Sequence, residues 1–327
     1  MEVLRTKAEL RYALRQARAG GACIALTPTM GALHAGHAAL IKAAAHECDF
    51  VVVSVFVNPT QFAAGEDLER YPRDLEGDAQ CAAAAGADVV FAPSVEELYG
   101  RASEPLSQTT ITVGEIGVLW EGALRPTHFA GVALVVAKLL SLVRPDRAYF
   151  GEKDYQQLCV IRQLTHDLDL GTQVIGIPTV REPDGLALSS RNRYLDANQR
   201  AQAVALSAAL AASQAAAASG ERDARQLEEA ASAVLRSQAE DGLEIGYCAL
   251  VDPKTLQPIE ALSAPARLLI SVTLGGVHLI DNAEIRPGKG TVPLSHFTAT
   301  LDDRGTVPLS DKTAPGIILS SEPCHLK

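Results

Sequence analysis

Two histidines follow a short apolar run near the start of the chain, in the segment PTMGALHAGH (28–37). His34 and His37 are three positions apart, and residues at that spacing share one face of a helix. Gly31 and Gly36 allow the backbone to approach a ligand closely. Free N–H groups and partial positive charge at a helix start favour phosphate, so the pair is a candidate triphosphate clamp. A helix cap with one satisfied core histidine is the simpler alternative.

The segment GEKDYQQL (151–158) offers a second set of polar groups. Lys153 can act as a point charge for phosphate, and Asp154 can accept hydrogen bonds from ribose hydroxyls. Gln157 lies one turn further on and can reach a neutral or anionic co-substrate. An exposed turn is an equally good interpretation of this segment alone.

A phosphate-binding loop is predicted within LALSSRN (186–192). Ser189, Ser190 and Arg191 place two hydroxyls, backbone N–H groups and a guanidinium on one short stretch. The alternative is a polar linker with a serine cap, against which the apolar GLAL (185–188) argues.

Uncharged hydrogen-bonding groups follow a third apolar run, in FVNPTQF (56–62). Asn58 fits a turn set by Asn-Pro, whereas nothing in the local structure requires Gln61. Arg125 and His128, before a long apolar segment, suit either a site or a helix cap.

Strands and helices alternate in the first half of the chain, which predicts an α/β fold with a parallel sheet. Right-handed crossovers then bring the loop after each strand to one edge of the sheet, where open α/β sheets bind ligands. Each polar segment above, apart from that around Arg125, follows a predicted strand. Strands are predicted at 23–29, 49–58, 88–94, 147–154 and 173–180, and helices at 37–47, 74–87, 127–145 and 155–168.

The second half predicts a smaller α+β domain, so we divide the chain into 1–183 and 184–287. Residues 288–327 are rich in Pro, Gly, Ser and Thr, repeat GTVPLS, and are predicted to be a loosely ordered tail. In the second domain, helices are predicted at 197–220 and 221–240, and strands at 243–251, 266–274 and 276–282.

Composition excludes several classes of protein. Hydrophobic residues make up 47% of the chain, which is typical of a globular protein. The net charge of −10 gives no general attraction to nucleic acid or to an anionic membrane. The six cysteines are scattered without a CxxC pair, as expected of small buried hydrophobes in a reducing compartment. The charged N-terminal segment lacks a signal-peptide core, and no apolar run approaches the ~20 residues of a membrane span. We expect a cytoplasmic protein.

Taken together, these segments resemble the pantothenate synthetase (pantoate–β-alanine ligase) family, within the nucleotidyltransferases that carry the HIGH signature. The resemblance runs from about residue 1 to about residue 285. A His-x-Gly-His block alone reaches only the superfamily, whereas NPTQF, EKDYQQ and LALSSRN point to this family. The matching blocks are PTMGALHAGH, SVFVNPTQF, YPRDLEGD, GEKDYQQL and PTVREPDGLALSSRNRYL.

The resemblance implies ATP-dependent ligation of (R)-pantoate and β-alanine through pantoyl adenylate, with release of AMP and pyrophosphate. It also implies a Rossmann-like domain for ATP and pantoate, a C-terminal lid domain, a homodimer, and Mg²⁺ carried mainly by the ATP phosphates rather than by protein ligands. Nucleic acid and membranes are not expected partners.

The resemblance assigns site residues by position. It assigns catalysis to His34, His37 and Lys153. It assigns binding of pantoate to Gln61 and Gln157, and binding of β-alanine to Gln61. The implied ATP-binding residues are Met30, Gly31, Ala32, Leu33, His34, Ala35, Gly36, His37, Gly151, Glu152, Lys153, Asp154, Val180, Leu188, Ser189, Ser190 and Arg191.

The chain departs from the family pattern without losing a group of catalytic chemistry. Ala35 stands where Glu is frequent, and Leu188 where Met is frequent. Thr60, Thr127 and Ala130 replace a larger apolar residue, a glycine and a charged residue, so details of the pocket wall and of the 125–131 loop are open.

Three other functions are compatible with parts of the sequence. A cytidylyl- or adenylyltransferase of the same superfamily would release pyrophosphate without needing an amine. A regulatory nucleotide-binding module would not need every charged group that is present. A tRNA-charging fragment would need a basic stripe, which the acidic chain lacks.

Overall fold

A computed structural model describes residues 1–63, 65–100, 107–237 and 242–288. Strands within these ranges are β1 (Glu2–Leu4), β2 (Ile24–Thr29), β3 (Phe50–Val55), β4 (Val89–Phe91), β5 (Arg147–Gly151), β6 (Gln173–Ile177), β7 (Leu243–Val251), β8 (Ala266–Leu274) and β9 (Val277–Ile285). The α-helices are α1 (Lys7–Ala19), α2 (Ala35–Glu47), α3 (Leu75–Ala85), α4 (Val95–Tyr99), α5 (Glu121–Leu124), α6 (His128–Val143), α7 (Tyr155–Asp167), α8 (Ala197–Ala203), α9 (Ala205–Ala218) and α10 (Ala224–Arg236). Short 3₁₀ turns include Pro59–Gln61, Glu152–Asp154 and Ser190–Tyr194.

The first six strands form one parallel sheet in the order β1-β4-β3-β2-β5-β6, which confirms the predicted Rossmann-like architecture. The strand order reverses between β2 and β5. Such a reversal opens a crevice at the carboxyl ends of the two strands, which is where ligands bind in open α/β sheets. The loops that leave this crevice are 30–34 and 152–154.

Both faces of the parallel sheet are covered, as the uninterrupted apolar run of β3 predicts. Val52 points to the side packed by α1, α6 and α7. Its neighbours Val51 and Val53 point to the opposite side, against α2 and α3. Burial on both sides makes the central strands a rigid support for the loops at their ends.

The C-terminal sheet is antiparallel, in the order β7-β8-β9. One face packs against α9 and α10 through leucines and alanines such as Leu210, Leu227 and Leu268. Its other face contacts the first part of the chain, where Val251 and Leu269 pack near Cys159. The smaller C-terminal fold is therefore as predicted.

One predicted helix differs from the structure, and one strand was not predicted. The stretch predicted as one helix over 197–220 forms two helices, α8 and α9, which meet at Val204, and nothing in the alanine-rich run marks that junction. The chain also begins with β1, a strand too short for alternation to reveal, which pairs with β4. Residues 238–240 of the helix predicted over 221–240 and the tail from 289 onward lie outside the described residues.

One apolar helical stretch, Ala197–Ala218, is long enough by composition to cross a membrane. Its buried positions, among them Leu206 and Leu210, pack into the core of the C-terminal domain. The five described cysteines are free thiols: Cys48 and Cys159 are buried, and Cys23, Cys81 and Cys248 are partly buried.

Candidate active site

The two histidines cap the start of α2. Nδ1 of His34 accepts the backbone N–H of Gly36 at 3.1 Å, and Nδ1 of His37 accepts the backbone N–H of His34 at 3.3 Å. Both histidines therefore do cap the helix, as the alternative interpretation of the sequence predicted. Capping uses only one nitrogen of each ring, so capping and ligand binding do not exclude each other.

Both histidines are neutral at physiological pH. Burial lowers the pKa of His34 to about 4 and that of His37 to about 3, with the charge of Lys153 and the His34–His37 contact acting in the same direction. Because each Nδ1 accepts an N–H, the single proton of each neutral ring sits on Nε2. Each ring therefore has an Nε2–H donor left for a ligand.

Asp78, which was not among the predicted site residues, shapes the loop before α2. Its carboxylate accepts the backbone N–H groups of Ala32 at 3.1 Å and Leu33 at 2.7 Å. Ala32 has a φ of 51°, an unusual value for a residue with a side chain. The only sequence signal for this role is that Asp78 falls in the YPRDLEGD block. The buried carboxylate holds a strained loop in place.

The loop 188–191 lies against the histidine loop. The hydroxyl of Ser190 donates to the carbonyl of Ala32 at 3.3 Å, and that of Ser189 accepts the N–H of Arg191 at 3.3 Å. The guanidinium of Arg191 makes a two-pronged ion pair with Asp67, at 3.1 and 3.0 Å. The predicted phosphate loop is therefore beside the helix start, with its cation held by a carboxylate.

The turn after β5 carries Lys153 and Asp154. The ammonium of Lys153 lies 3.3 Å from the Asp154 carboxylate. Burial works to raise the pKa of Asp154, but the charges of Lys153 and Arg191 outweigh it, so the pKa is lowered. Asp154 is thus an anionic acceptor, as its predicted contact with ribose hydroxyls requires.

Gln61 is buried and held by its neighbours. Its Oε1 accepts from Asn58 Nδ2 at 3.0 Å, and its Nε2 lies 3.0 Å from Sδ of Met30. The Asn58 side chain also donates to the carbonyl of Gly131 at 3.1 Å. Asn58 therefore does more than set a turn, because it orients Gln61. His128 contacts the Gln61 carbonyl through Nδ1 at 3.0 Å.

The predicted side chains meet at two adjoining cavities, of about 210 and 110 Å³. The residues shared by both walls are Met30, Gln61, Lys153, Asp154, Gln157, Ser189 and Arg191. The larger cavity is also lined by His34, Gly36, His37, Gly151, Val180, Leu188 and Ser190. The remaining predicted residues, Gly31, Ala32, Leu33, Ala35 and Glu152, line neither cavity.

The smaller cavity has a wall from the C-terminal part of the chain that sequence reasoning missed. Glu121, buried beside this cavity, accepts from Tyr247 at 3.0 Å and contacts Nε2 of His278 at 2.9 Å. Arg125, at the same cavity, is paired with Glu66 at 2.7 Å. Glu121 and His278 are 157 positions apart, so no local pattern links them.

Comparisons with known proteins show the family of this chain. A family model described as pantoate-beta-alanine ligase matches residues 2–284. The chain belongs to the pantoate–β-alanine ligase family. It is 52% identical over 287 residues to a pantothenate synthetase of Rubrobacter xylanophilus, covering 86% of this chain and 98% of that one. It is 47% identical to that of Desulfatibacillum aliphaticivorans, covering 88% and 100%.

Solved ligase structures share the fold. The pantothenate synthetase of Thermus thermophilus superposes with a TM-score of 0.82 at 48% identity, covering 88% of this chain and all of that one. The pantoate-beta-alanine ligase of Francisella tularensis, complexed with beta-gamma ATP and β-alanine, has a TM-score of 0.70 at 34% identity, covering 86% and 97%. As a pantoate–β-alanine ligase, the protein acts in pantothenate biosynthesis.

Proposed function

We propose that the ligase joins (R)-pantoate to β-alanine in two half-reactions, with pantoyl adenylate formed and consumed in the joined cavities. The observation that carries this proposal is the shared wall, where amides suited to pantoate and cations suited to phosphate line the same space. The beta-gamma ATP and β-alanine complexed with the Francisella relative support the same pairing of substrates.

In the first half-reaction a carboxylate oxygen of pantoate attacks the α-phosphorus of ATP, and the bond to pyrophosphate breaks. Pantoate is already ionised at neutral pH, so no general base is needed. Catalysis is then a matter of alignment and of stabilising charge on phosphoryl oxygens. The Nε2–H groups of His34 and His37 and the ammonium of Lys153 supply this stabilisation.

In the second half-reaction the β-alanine amine attacks the acyl carbon, and the bond to AMP breaks. A primary amine has a pKa of about 10, by analogy with lysine, so β-alanine must lose a proton before attack. Gln61 is held rigidly by Asn58 at 3.0 Å and suits orientation of both pantoate and the amine. Gln157 completes the pantoate site on the first turn of α7.

We assign ATP to the larger cavity. Ser189, Ser190 and Arg191 would bind phosphate, Asp154 the ribose, and the Val180 backbone the adenine. This site is completed by Met30 to His37, Gly151 to Asp154, and Leu188. Those of them that line neither cavity would act by holding the backbone of the residues that do.

Mg²⁺ enters this proposal with the nucleotide. Among the described residues, no group of three or more His, Cys, Asp or Glu side chains is placed to hold a metal ion. The histidine and lysine donors instead suit phosphate oxygens, so the ion would be held mainly by those oxygens, where it neutralises their charge.

The remaining proposals concern organisation. We propose that 1–183 form the ATP and pantoate domain, that 184–287 form a lid, and that the protein is a cytoplasmic homodimer that binds neither nucleic acid nor membrane. The acidic net charge of −10 supports the absence of nucleic-acid and membrane binding. Sedimentation of particles of only ~35 kDa, the mass of one chain, would contradict the dimer.

The deciding experiment follows pyrophosphate and AMP from ATP with pantoate, with and without β-alanine. We expect sustained turnover only with both substrates, and one AMP for each pyrophosphate. Turnover that ignores β-alanine would instead indicate a nucleotidyltransferase, and no response to pantoate would refute the substrate assignment.

A further inference from the structure

The carboxamide of Asn282, on β9, holds the turn that carries Lys153. Its Nδ2 donates to the backbone carbonyl of Glu152 at 2.9 Å and to that of Lys153 at 2.8 Å. Asn282 is only 4% exposed, so both hydrogen bonds are shielded from water. A residue of the C-terminal sheet thus fixes two successive peptide units of a turn whose Lys153 and Asp154 line the larger cavity.

Arg267, on β8, fixes the orientation of that carboxamide. Its Nε donates to Oδ1 of Asn282 at 2.6 Å, so the amide nitrogen must face the two carbonyls. Its Nη2 pairs with the Glu152 carboxylate at 3.0 Å, and its guanidinium lies 4.1 Å from the ring centroid of Tyr155. Arg267 therefore binds the side chain of Glu152 in this turn, while Asn282 binds the backbone carbonyls of the same turn.

The turn itself offers little other restraint. Residues 152–154 form one 3₁₀ turn between β5 and α7, and it has no side-chain cap. Within the described residues, the Lys153 ammonium donates a hydrogen bond to the carboxylate of its neighbour Asp154. The position of this cation in the cavity thus depends on where its backbone is held, and the C-terminal sheet holds it.

We infer that Asn282 and Arg267 are positioning residues, which act through the 152–154 turn to place the Lys153 ammonium for adenylate formation. The inference rests on the proposed function. Its consequence is that docking of the C-terminal domain assembles part of the ATP site, although Asn282 lines only the smaller cavity and Arg267 lines neither.

The test is Asn282→Asp, which keeps the size of the side chain but turns an oxygen toward the two carbonyls. We expect pantoate-dependent ATP–pyrophosphate exchange to fall about 10- to 100-fold, the scale for a misplaced reacting group. Conversion of supplied pantoyl adenylate with β-alanine should stay within about threefold of the parent, because the proposed role is confined to adenylate formation. A general structural defect would instead slow both half-reactions. Equal loss in the two half-reactions would overturn the inference.

A double-mutant cycle with Lys153→Ala identifies the route of the effect. If Asn282 acts through Lys153, Asn282→Asp should change exchange by less than about threefold in the Lys153→Ala background. A further loss of about tenfold there would overturn the inference. Trp120→Phe is the matched control, because it removes another hydrogen bond between the domains, from Nε1 to the Leu256 carbonyl at 2.9 Å. It should leave both half-reactions unchanged.

Parent activity separates the two claims. If the parent makes pantothenate and Asn282→Asp matches it in both half-reactions, only the positioning role fails. If the parent shows no pantoate-dependent exchange, the proposed function itself fails.

Discussion

His34 and His37 are joined at the start of α2, where Nδ1 of His37 accepts the backbone N–H of His34 and the two ring centroids lie 4.1 Å apart. This contact fixes the His37 ring and its tautomer, and the Gly36 N–H that His34 Nδ1 accepts fixes those of His34, both without any ligand. A pair of neutral donors is thus preorganised for phosphate, and its orientation costs no rearrangement when charge develops.

Substitutions at His34 should separate capping from catalysis. Asparagine is a good N-cap acceptor but lacks the Nε2–H at the same reach. We expect His34→Asn to keep the thermal midpoint of the parent and to lower pyrophosphate exchange ~10²-fold, the scale for one electrostatic donor. His34→Ala should lose a similar rate and also about 1 kcal/mol of unfolding free energy. Parent-like exchange in His34→Asn would show that the residue is only a cap.

Gly36→Ala should slow adenylation by displacing a ring. A Cβ at position 36 would lie 2.8 Å from Cε1 and 2.9 Å from Nδ1 of His34, so the imidazole must move. We expect exchange to fall about tenfold or more with little change in melting temperature. Gly114→Ala is the control, because nothing lies within 4 Å of its added Cβ and its φ of −67° suits alanine. Equal activity of the two variants would contradict the prediction.

Asp67→Asn should strengthen ATP binding. Arg191 is paired with Asp67 in the structure, and its proposed phosphate contact competes with that pairing. Removing the charge of Asp67 should lower the KM for ATP severalfold with a stability loss of about 1 kcal/mol or less, as for a partly exposed ion pair. Glu47→Gln, which breaks the Arg147 pair elsewhere, serves as control. A raised KM for Asp67→Asn would mean that the pair positions Arg191 instead.

Acid should destabilise the protein through its buried histidines. Burial lowers the pKa of His34 and His128 to about 4 and that of His37 to about 3, below the ordinary value of 6.5. The unfolded chain therefore binds protons first, so this stability is complete above pH 6.5 and is lost as pH falls toward about 4 for His34 and His128 and toward about 3 for His37. In urea unfolding, the free energy of unfolding of His37→Asn should fall less than that of the parent between about pH 6.5 and about pH 5. An equal or steeper loss would contradict the neutral form.

The same pKa values set the pH dependence of exchange. Because His34 and His37 stay neutral, neither should give the exchange rate an inflection near the ordinary histidine pKa of 6.5. Any inflection in that range should therefore persist in His37→Asn. An inflection that His37→Asn abolishes would mean that a protonated imidazole, not an Nε2–H of a neutral ring, takes part.

Local sequence predicted most elements but not every boundary. The apolar run of β3 and the helix formers of α2 are strong local signals, and both elements were found. The junction at Val204 was missed because the alanine-rich run carries no local signal for it, and the three-residue β1 was missed because it depends on pairing with β4.

The alternation of strands and helices follows from the sequence alone, and so does the edge of the sheet where His34, Lys153 and Ser190 collect. Parallel strands joined by right-handed crossovers leave their carboxyl ends on one side, so the chemistry of each loop could be read locally. Which atoms remain available to a ligand depends on the folded chain. The Nδ1 atoms of the histidines are used in capping, and Asn282 reaches a turn 130 positions away, because such contacts arise from packing across distant segments.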